Sequence, residues 1–243
     1  MSEYSSEHAD QRLVGSPPGY VGYDVGGQLT NAVKQNPFSI VLFDEIEKAH
    51  PRILDSFLQI LDDGRITSGR GETVYFSESL IIFTSNLGVY ELLPDGTKRQ
   101  RVNATMKYEE VSLQISAAIE DFFTYKIGRP EILNRIGKNI IVFDFIRDDA
   151  ASQILKVMLS RIIKRLKEEN GIDLQIGATA LSQIQVHSFK DLSMGGRGIG
   201  NSLEQILINP LSRALFEINP KAGQKLELVS LIEEDGSWKV ILQ

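Results

Sequence analysis

The chain has 243 residues, of which 42% are apolar and 24% charged, and its 26 basic and 32 acidic side chains give a net charge of −6. This composition is typical of a globular protein and excludes the collagen-like, disordered and membrane-spanning classes. Because the chain contains no cysteine, disulfide frameworks, thiolate nucleophiles and cysteine-based zinc sites are excluded as well.

The first part of the chain predicts apolar strands that alternate with helices. Residues 38–43 and 80–84 predict strands buried on both faces, and a third buried strand is predicted at residues 139–143. Helical spacing is found at residues 29–36, which end before Pro37, at residues 51–63, which begin with Pro51 and end before Gly64, and at residues 111–122. A hairpin is predicted over residues 65–76, and a loop or insertion that contains Pro94 over residues 89–106.

The second part of the chain has a different character. Residues 154–166 predict a long amphipathic helix with a basic outer face, which is expected to be a solvated face. Further helices are predicted at residues 179–189 and 198–216, and two alternating strands at residues 225–231 and 237–242. We therefore expect an α/β fold with a parallel sheet in residues 1–145, followed by a small, mostly helical domain with a terminal hairpin in residues 146–243.

Polar side chains follow the first two strands of the predicted sheet, at residues 38–43 and 80–84. Asp44 and Glu45 come directly after the first strand, and Asn86 comes two residues after the second. If the strands are neighbours, these side chains share the edge at which α/β sheets bind ligands, where carboxylates can hold Mg²⁺ and polarise water and an amide can orient a phosphate oxygen. The alternatives are carboxylates that serve solubility and a turn closed by asparagine.

A glycine-rich loop carries Tyr20 and Val21 between Gly19 and Gly22. The glycines free the backbone, so that the two side chains can project and contact an extended polymer. In the alternative, Tyr20 and Tyr23 pack back on their own domain. Three arginines near element boundaries, Arg129, Arg135 and Arg197, have the planar guanidinium that binds phosphate, or are ordinary surface residues.

The order and spacing of these signals resemble the second AAA+ ATPase module of the Clp-family unfoldases and disaggregases, the ClpB, ClpC and ClpA group. The resemblance covers nearly the whole chain and is weakest at residues 89–127. It rests on the Gly-Tyr-Val-Gly loop and on the segments at residues 26–30, 41–51, 58–65, 84–88, 129–136 and 195–197.

The resemblance implies a role for each candidate residue. Asp44 and Glu45 correspond to a Walker B pair, with Asp44 near Mg²⁺ and Glu45 activating water, and Asn86 corresponds to the sensor-1 residue. Arg135 corresponds to an arginine finger that reaches a neighbouring subunit, and Arg197 to the sensor-2 arginine. Tyr20 and Val21 correspond to the pore-loop residues that grip polypeptide.

The implied cofactors are ATP and Mg²⁺, and the implied partners are polypeptide substrates and other AAA+ subunits in a hexameric ring. Neither nucleic acid nor membrane is expected as a partner, because the acidic excess lies in residues 1–145 and no signal peptide or apolar run of about 20 residues is present. We expect a cytoplasmic chaperone. The family tripeptide that docks a ClpP-like peptidase is not found at residues 89–127, so no such docking is expected.

The chain departs from the family pattern in its phosphate-binding half. No Gly-x-x-x-x-Gly-Lys-Ser/Thr motif (Walker A) occurs in the sequence, and the nearest fragment begins at Gly137 and follows the Walker B segment. Gly128 and Gly137 also replace the Phe and Asp expected around the arginine-finger segment. In the family the missing motif lies upstream, so Met1 is expected to be either a natural start or a fragment boundary.

Three hypotheses follow. The first is the bulk of a Clp-type module that couples ATP hydrolysis to polypeptide threading but hydrolyses poorly as an isolated chain, since backbone amides and a lysine normally hold the phosphates. The alternative is a non-hydrolysing Clp-like subunit that binds or regulates AAA+ rings. A third hypothesis, nucleic-acid remodelling, is disfavoured by the charge balance.

Overall fold

The computed structural model describes residues 1–93, 95–190 and 192–243. The chain forms two compact units, Met1–Asp144 and Phe145–Gln243, each with an apolar core of its own. The predicted α/β class, with a short parallel sheet, a helical second part and a terminal hairpin, is confirmed.

The first unit contains the candidate site. Helices α1 to α5 cover Ala9–Val14, Gln28–Gln35, Pro51–Asp63, Tyr108–Asp121 and Pro130–Ile136. Strands β1 to β6 cover Ile40–Phe43, Arg65–Thr67, Thr73–Tyr75, Leu80–Phe83, Tyr90–Leu92 and Lys98–Gln100. Strand β1 pairs in parallel with β4, while β2 with β3 and β5 with β6 form antiparallel pairs. A π-helical segment, Phe122–Lys126, continues α4.

Helix α3 supports the parallel strands. It begins with Pro51, whose fixed φ suits the first turn, and ends at Gly64, which adopts the left-handed conformation (φ 63°). Its apolar stripe includes Phe57, whose ring lies 4.4 Å from that of Phe43 on β1 and 5.4 Å from that of Phe83 on β4. The three aromatic rings therefore fix the ends of both strands above one helix.

The prediction of three strands buried on both faces is wrong. Ile40 and Leu80 are 68% and 58% exposed, because within the described residues no element covers the face of β1 and β4 that lies opposite α3. Residues 139–143 form no strand, and Phe143 is 87% exposed. An apolar run becomes a strand only where a neighbour completes its backbone hydrogen bonds.

The predicted loop at residues 89–106 contains the hairpin β5–β6. Its turn is closed by the Asp95 carboxylate, which accepts a hydrogen bond from the backbone N–H of Thr97 at 2.9 Å, and by Gly96 at φ 83°. Strand β5 is only three residues long and β6 is polar throughout, so the sequence offers no period-2 pattern long enough to predict a strand. Pro94 lies outside the described residues.

The second unit is a helical domain with a small mixed sheet. Helices α6 to α9 cover Asp148–Asn170, Ala178–Ser188, Gly195–Leu203 and Asn209–Ile218, and strands β7 to β9 cover Asp173–Ile176, Lys225–Glu234 and Ser237–Leu242. A π-helical segment, Glu204–Ile208, joins α8 to α9. The sequence did not predict β7, which pairs in parallel with β8. Among the described residues, no helix has the length and apolar character needed to cross a membrane.

Candidate functional site

The register of the parallel strands places the candidate residues at one edge. Phe43 is level with Phe83, so both strands end together, and Asp44 and Thr84 are the next residues on each. The backbone N–H of Thr84 donates to the Phe43 carbonyl at 3.0 Å, and the N–H of Ile46 donates to the Thr84 carbonyl at 3.0 Å. The condition that the two strands are neighbours is therefore met, and Asn86 follows on the same edge.

Thr84, which the sequence reasoning missed, links the two carboxylate positions. Its hydroxyl donates to Oδ1 of Asp44 and accepts a hydrogen bond from the backbone N–H of Glu45 at 3.1 Å. One side chain directly after β4 therefore orients the Asp44 carboxylate and satisfies the first backbone N–H beyond it. In the sequence this residue is only a threonine at the end of an apolar strand, a pattern that strands without any site share.

Glu45 has a constrained backbone and an engaged carboxylate. Its φ of 56° lies in the left-handed region, which is uncommon for a residue other than glycine and costs on the order of 1 kcal/mol. Its Oε2 accepts hydrogen bonds from Nζ of Lys48 at 2.7 Å and from Oγ of Ser2 at 3.0 Å. The Lys48 ammonium, followed by the Ser2 hydroxyl, holds the pKa of Glu45 below its usual range, so the carboxylate is ionised at neutral pH.

Asn86 is positioned through its backbone by Glu47, another residue that the sequence reasoning missed. Oε1 of Glu47 accepts a hydrogen bond from the backbone N–H of Asn86 at 3.0 Å. The other oxygen, Oε2, is buried and has no hydrogen-bond partner in the part of the chain that the structure describes. The Asn86 side chain is exposed at the sheet edge, where an amide can donate to or accept from a ligand.

The residues present fit the metal side of a magnesium nucleotide site. Asp44 is exposed at the strand end, and Mg²⁺ is usually bound by one or two carboxylates together with waters and phosphate oxygens. No cluster of three or more His, Asp or Glu side chains that could hold a metal alone exists among residues 1–93, 95–190 and 192–243. A metal here would therefore depend on the phosphates for its remaining ligands.

The phosphate side of such a site is not formed by the fragment that comes nearest to the motif. A phosphate cradle uses backbone N–H groups at the beginning of a helix. Gly137 instead caps the end of α5, with φ 58°, where carbonyl groups carry the partial negative charge. The fragment therefore does not fit a triphosphate.

The three arginines are divided between the two units. Arg135, on α5, forms an ion pair with Asp62 on α3, so its guanidinium is engaged within its own chain. Arg129, directly before the same helix, pairs with Asp55 at 2.6 Å, and this carboxylate raises the pKa of Arg129. Arg197 is exposed in the first turn of α8 in the second unit.

The Gly-Tyr-Val-Gly loop projects its two central side chains. Tyr20 is 61% and Val21 fully exposed, and Gly19 and Gly22 adopt positive φ angles of 88° and 91°. Successive turns form the loop, with the N–H of Tyr20 donating to the Pro17 carbonyl at 3.2 Å. Tyr20 does not pack back on its domain, so its ring is available to a partner.

Comparison with known proteins identifies both parts of the chain. The family model described as "AAA domain (Cdc48 subfamily)" matches residues 1–139, and the model described as "C-terminal, D2-small domain, of ClpB protein" matches residues 146–228.

Curated relatives match across both units. The chaperone protein ClpB of Gloeobacter violaceus is 41% identical over 217 residues, which are 89% of this chain and 23% of that protein. The ClpB of Vibrio vulnificus strain YJ016 is 37% identical over 229 residues, 94% of this chain and 25% of that protein. The negative regulator of genetic competence ClpC/MecB of Bacillus subtilis is 39% identical over 242 residues, 99% of this chain and 28% of that protein. The chain spans about a quarter of the length of these relatives.

Proposed function

The chain belongs to the Clp family of AAA+ proteins, and we propose that it is an ATPase module of a protein unfoldase or disaggregase. In this proposal the module works in a ring of AAA+ subunits and couples ATP hydrolysis to the threading of polypeptide. The observation that carries the proposal is the level ending of β1 and β4, which brings Asp44, Glu45 and Asn86 to one edge.

The strand edge supplies the hydrolytic half of the site. Asp44 would hold Mg²⁺ through water, and the metal would neutralise phosphate charge when bound. The ionised Glu45 is suited to orient a water by accepting its proton in a hydrogen bond, once the carboxylate turns away from Lys48. Asn86 can hold a phosphate oxygen or the same water without adding charge.

The exposed Tyr20 and Val21 supply the contact with polypeptide. An aromatic ring and a β-branched side chain, both projecting from a loop, can pack against successive side chains of an extended chain without reading its sequence. We expect Tyr20→Ala to weaken the binding of an unfolded polypeptide more than Tyr125→Ala does, because Tyr125 is also exposed, at 82%, but lies in the π-helical segment that follows α4.

In this proposal, Arg135 makes ATP hydrolysis depend on assembly, and Arg197 relates the nucleotide state to the position of the small domain. Arg135 would reach the phosphates bound by a neighbouring subunit after leaving Asp62, which gives assembly a direct influence on hydrolysis. Arg197, on the small domain, would bind phosphate from the same chain and so relate nucleotide state to domain position. The Arg135 ion pair is exposed, so breaking it costs little.

The isolated chain is expected to hydrolyse ATP poorly, because the sequence carries no phosphate cradle. The test is phosphate release by the purified 243-residue chain with excess Mg·ATP, beside Glu45→Gln. We expect both to match the buffer rate. Mg²⁺-dependent turnover that Glu45→Gln abolishes would contradict hydrolytic deficiency and support the Glu45 role.

The same lack of a cradle favours, as a second candidate, a non-hydrolysing subunit that modifies AAA+ rings. The discriminating experiment mixes the purified chain with a full-length ClpB ring. Incorporation that changes the ring's rate while the chain itself binds no nucleotide would support the second candidate. No incorporation would contradict it.

A further inference from the structure

The Tyr20 loop, residues 15–26, is held from one side by the turn between β2 and β3. The guanidinium of Arg70, in that turn, donates from Nε to the Tyr23 carbonyl at 3.0 Å and from its terminal nitrogen to the Asp24 carbonyl. Two neighbouring carbonyls of the loop are thus bound by one planar group, whose fork geometry suits paired acceptors.

The turn that carries Arg70 is itself fixed. Oγ of Ser68 accepts hydrogen bonds from the backbone N–H groups of Arg70 at 3.3 Å and Glu72 at 3.2 Å. The carboxylate of Glu72 in turn pairs with Lys34 on α2 at 2.8 Å. Arg70 therefore reaches the loop from a braced position.

The backbones of the turn and the loop also touch directly. The N–H of Gly69 donates to the Val14 carbonyl at 3.2 Å. A Cβ at Gly69 would lie 2.3 Å from the Gly15 carbonyl oxygen and 2.5 Å from that of Ser16. Only glycine permits this approach, which places Arg70 within reach of the far side of the loop.

We infer that Arg70 is a positioning residue that keeps the Tyr20 loop in the shape that presents Tyr20 and Val21. The inference about loop shape stands on the contacts, and its consequence for polypeptide binding rests on the proposed function. A loop that is already ordered loses less conformational entropy when it binds, so bracing raises affinity without a new contact.

The mobility of the loop can be measured directly because the chain has no cysteine. Val21→Cys, fully exposed in the parent chain, accepts a nitroxide label whose electron paramagnetic resonance spectrum reports local motion. Arg70→Ala is expected to narrow the lines of the spectrum, which indicates faster motion of the labelled loop. Arg70→Lys is expected to give lines of intermediate width, because an ammonium can bind one carbonyl but lacks the forked geometry of a guanidinium. The matched control, Arg65→Ala, removes an exposed arginine of the same hairpin whose ion pair is with Asp63, and it should leave the spectrum unchanged.

Polypeptide binding provides the second readout, measured without the label. We expect Arg70→Ala to lower the affinity of a fluorescent unfolded polypeptide about tenfold, the equivalent of one or two lost hydrogen bonds, with Arg65→Ala within about twofold of the parent chain. Identical spectra in Arg70→Ala and Arg65→Ala would overturn the inference. Failure of the parent chain to bind polypeptide would contradict the proposed function, while the spectra would still decide the role of Arg70.

Discussion

At the residue scale, the state of Glu45 decides what the strand edge can do. Its carboxylate is bound by Lys48 and Ser2, so the group best suited to orient water is held away from that task. The pair is exposed, and exposed ion pairs contribute little to stability. The main effect of the Glu45–Lys48 pair is instead to keep the Glu45 carboxylate ionised and turned toward Lys48.

The pH range of this pair follows from the direction of the two shifts. The pKa of Glu45 is lowered, chiefly by the Lys48 hydrogen bond, so its contribution to stability is present above the ordinary glutamate pKa and is lost as pH falls through the depressed value. The pKa of Lys48 is raised, chiefly by Glu45, so its contribution is present below the ordinary lysine pKa and is lost as pH rises through the raised value. The pair therefore contributes in full between the ordinary glutamate and lysine pKa values, and it breaks only below the first of these or above the second.

Removing Lys48 should return Glu45 toward ordinary behaviour. We expect Lys48→Gln to raise the pKa of Glu45, measured by carbon NMR of the side-chain carboxyl during an acid titration. The matched control is Lys34→Gln, which should raise the pKa of Glu72, since Lys34 is the main cause of the lowered pKa there, and leave that of Glu45 unchanged. A Glu45 titration that does not move in Lys48→Gln would contradict the assignment of Lys48 as the cause.

Residue roles were only partly predictable from the sequence. Asp44, Glu45 and Asn86 could be found because they follow apolar runs that end in polar residues. Thr84 and Glu47 could not, because their roles depend on hydrogen bonds between segments about 40 residues apart in the chain. The engagement of Arg135 by Asp62 was likewise invisible, since it needs the packing of α5 against α3.

At the element scale, the hairpin β2–β3 connects helix α3 to the Tyr20 loop. The hairpin begins directly after Gly64, and the Phe76 N–H donates to the Gly64 carbonyl at 2.7 Å, which fixes it to the end of the helix. Its turn then contacts the loop through Gly69. Helix α3, whose Phe57 packs against β1 and β4, is therefore connected through this hairpin to the turn that holds the Tyr20 loop.

Glycine at position 69 should be required for that contact. We expect Gly69→Ala to speed amide hydrogen exchange over residues 14–27, because the added methyl group collides with backbone rather than with a movable side chain. The control, Gly200→Ala, adds a methyl group whose nearest neighbour is Cε of Met158 at 3.9 Å, and it should leave that exchange unchanged. Equal exchange in both variants would show that the close approach is not needed.

Helices were predicted from the sequence more accurately than strands. Helix α3 has both end signals and an apolar stripe, so its bounds agree with the pattern. Strands depend on partners that lie far away in the chain, which is why residues 139–143 were wrongly predicted as a strand and β7 was missed. Local periodicity carries no information on which backbone groups find a neighbour.

At the scale of the whole molecule, the first unit exposes one face of its parallel strands. The exposed face consists of alternate residues of the two strands, which are Ile40, Leu42, Leu80 and Ile82. An apolar face of this kind usually marks a surface that another element or chain covers.

This exposed apolar face should be the main site at which the isolated chain binds an apolar dye. We expect Leu42→Ser to lower the fluorescence of a bound apolar dye such as ANS while preserving the circular dichroism spectrum, because strand pairing uses the backbone and Leu42 is 58% exposed. The control is Val41→Ser, on the opposite face, where the side chain packs against the core. It should destabilise the first unit instead. Unchanged dye binding in Leu42→Ser would contradict the assignment of this face.

The family could be recognised from the sequence because many individually weak signals occur in the order and spacing of one module. No single segment is decisive, since apolar strands that end in Asp-Glu and loops with paired glycines occur in unrelated proteins. Their combination over both units carries the identification, and the two family models match the same two regions.

The most direct test adds a phosphate-binding segment to this chain and measures ATP turnover. It decides whether the edge formed by Asp44, Glu45 and Asn86 takes part in hydrolysis. The segment of Gloeobacter violaceus ClpB that precedes its match to this chain would be fused upstream of Met1, and phosphate release from Mg·ATP measured. We expect turnover that Glu45→Gln abolishes and that Glu78→Gln, a change at an exposed surface carboxylate, leaves intact. A folded fusion that binds ATP and shows no turnover, or turnover that survives Glu45→Gln, would contradict the role of this edge in hydrolysis.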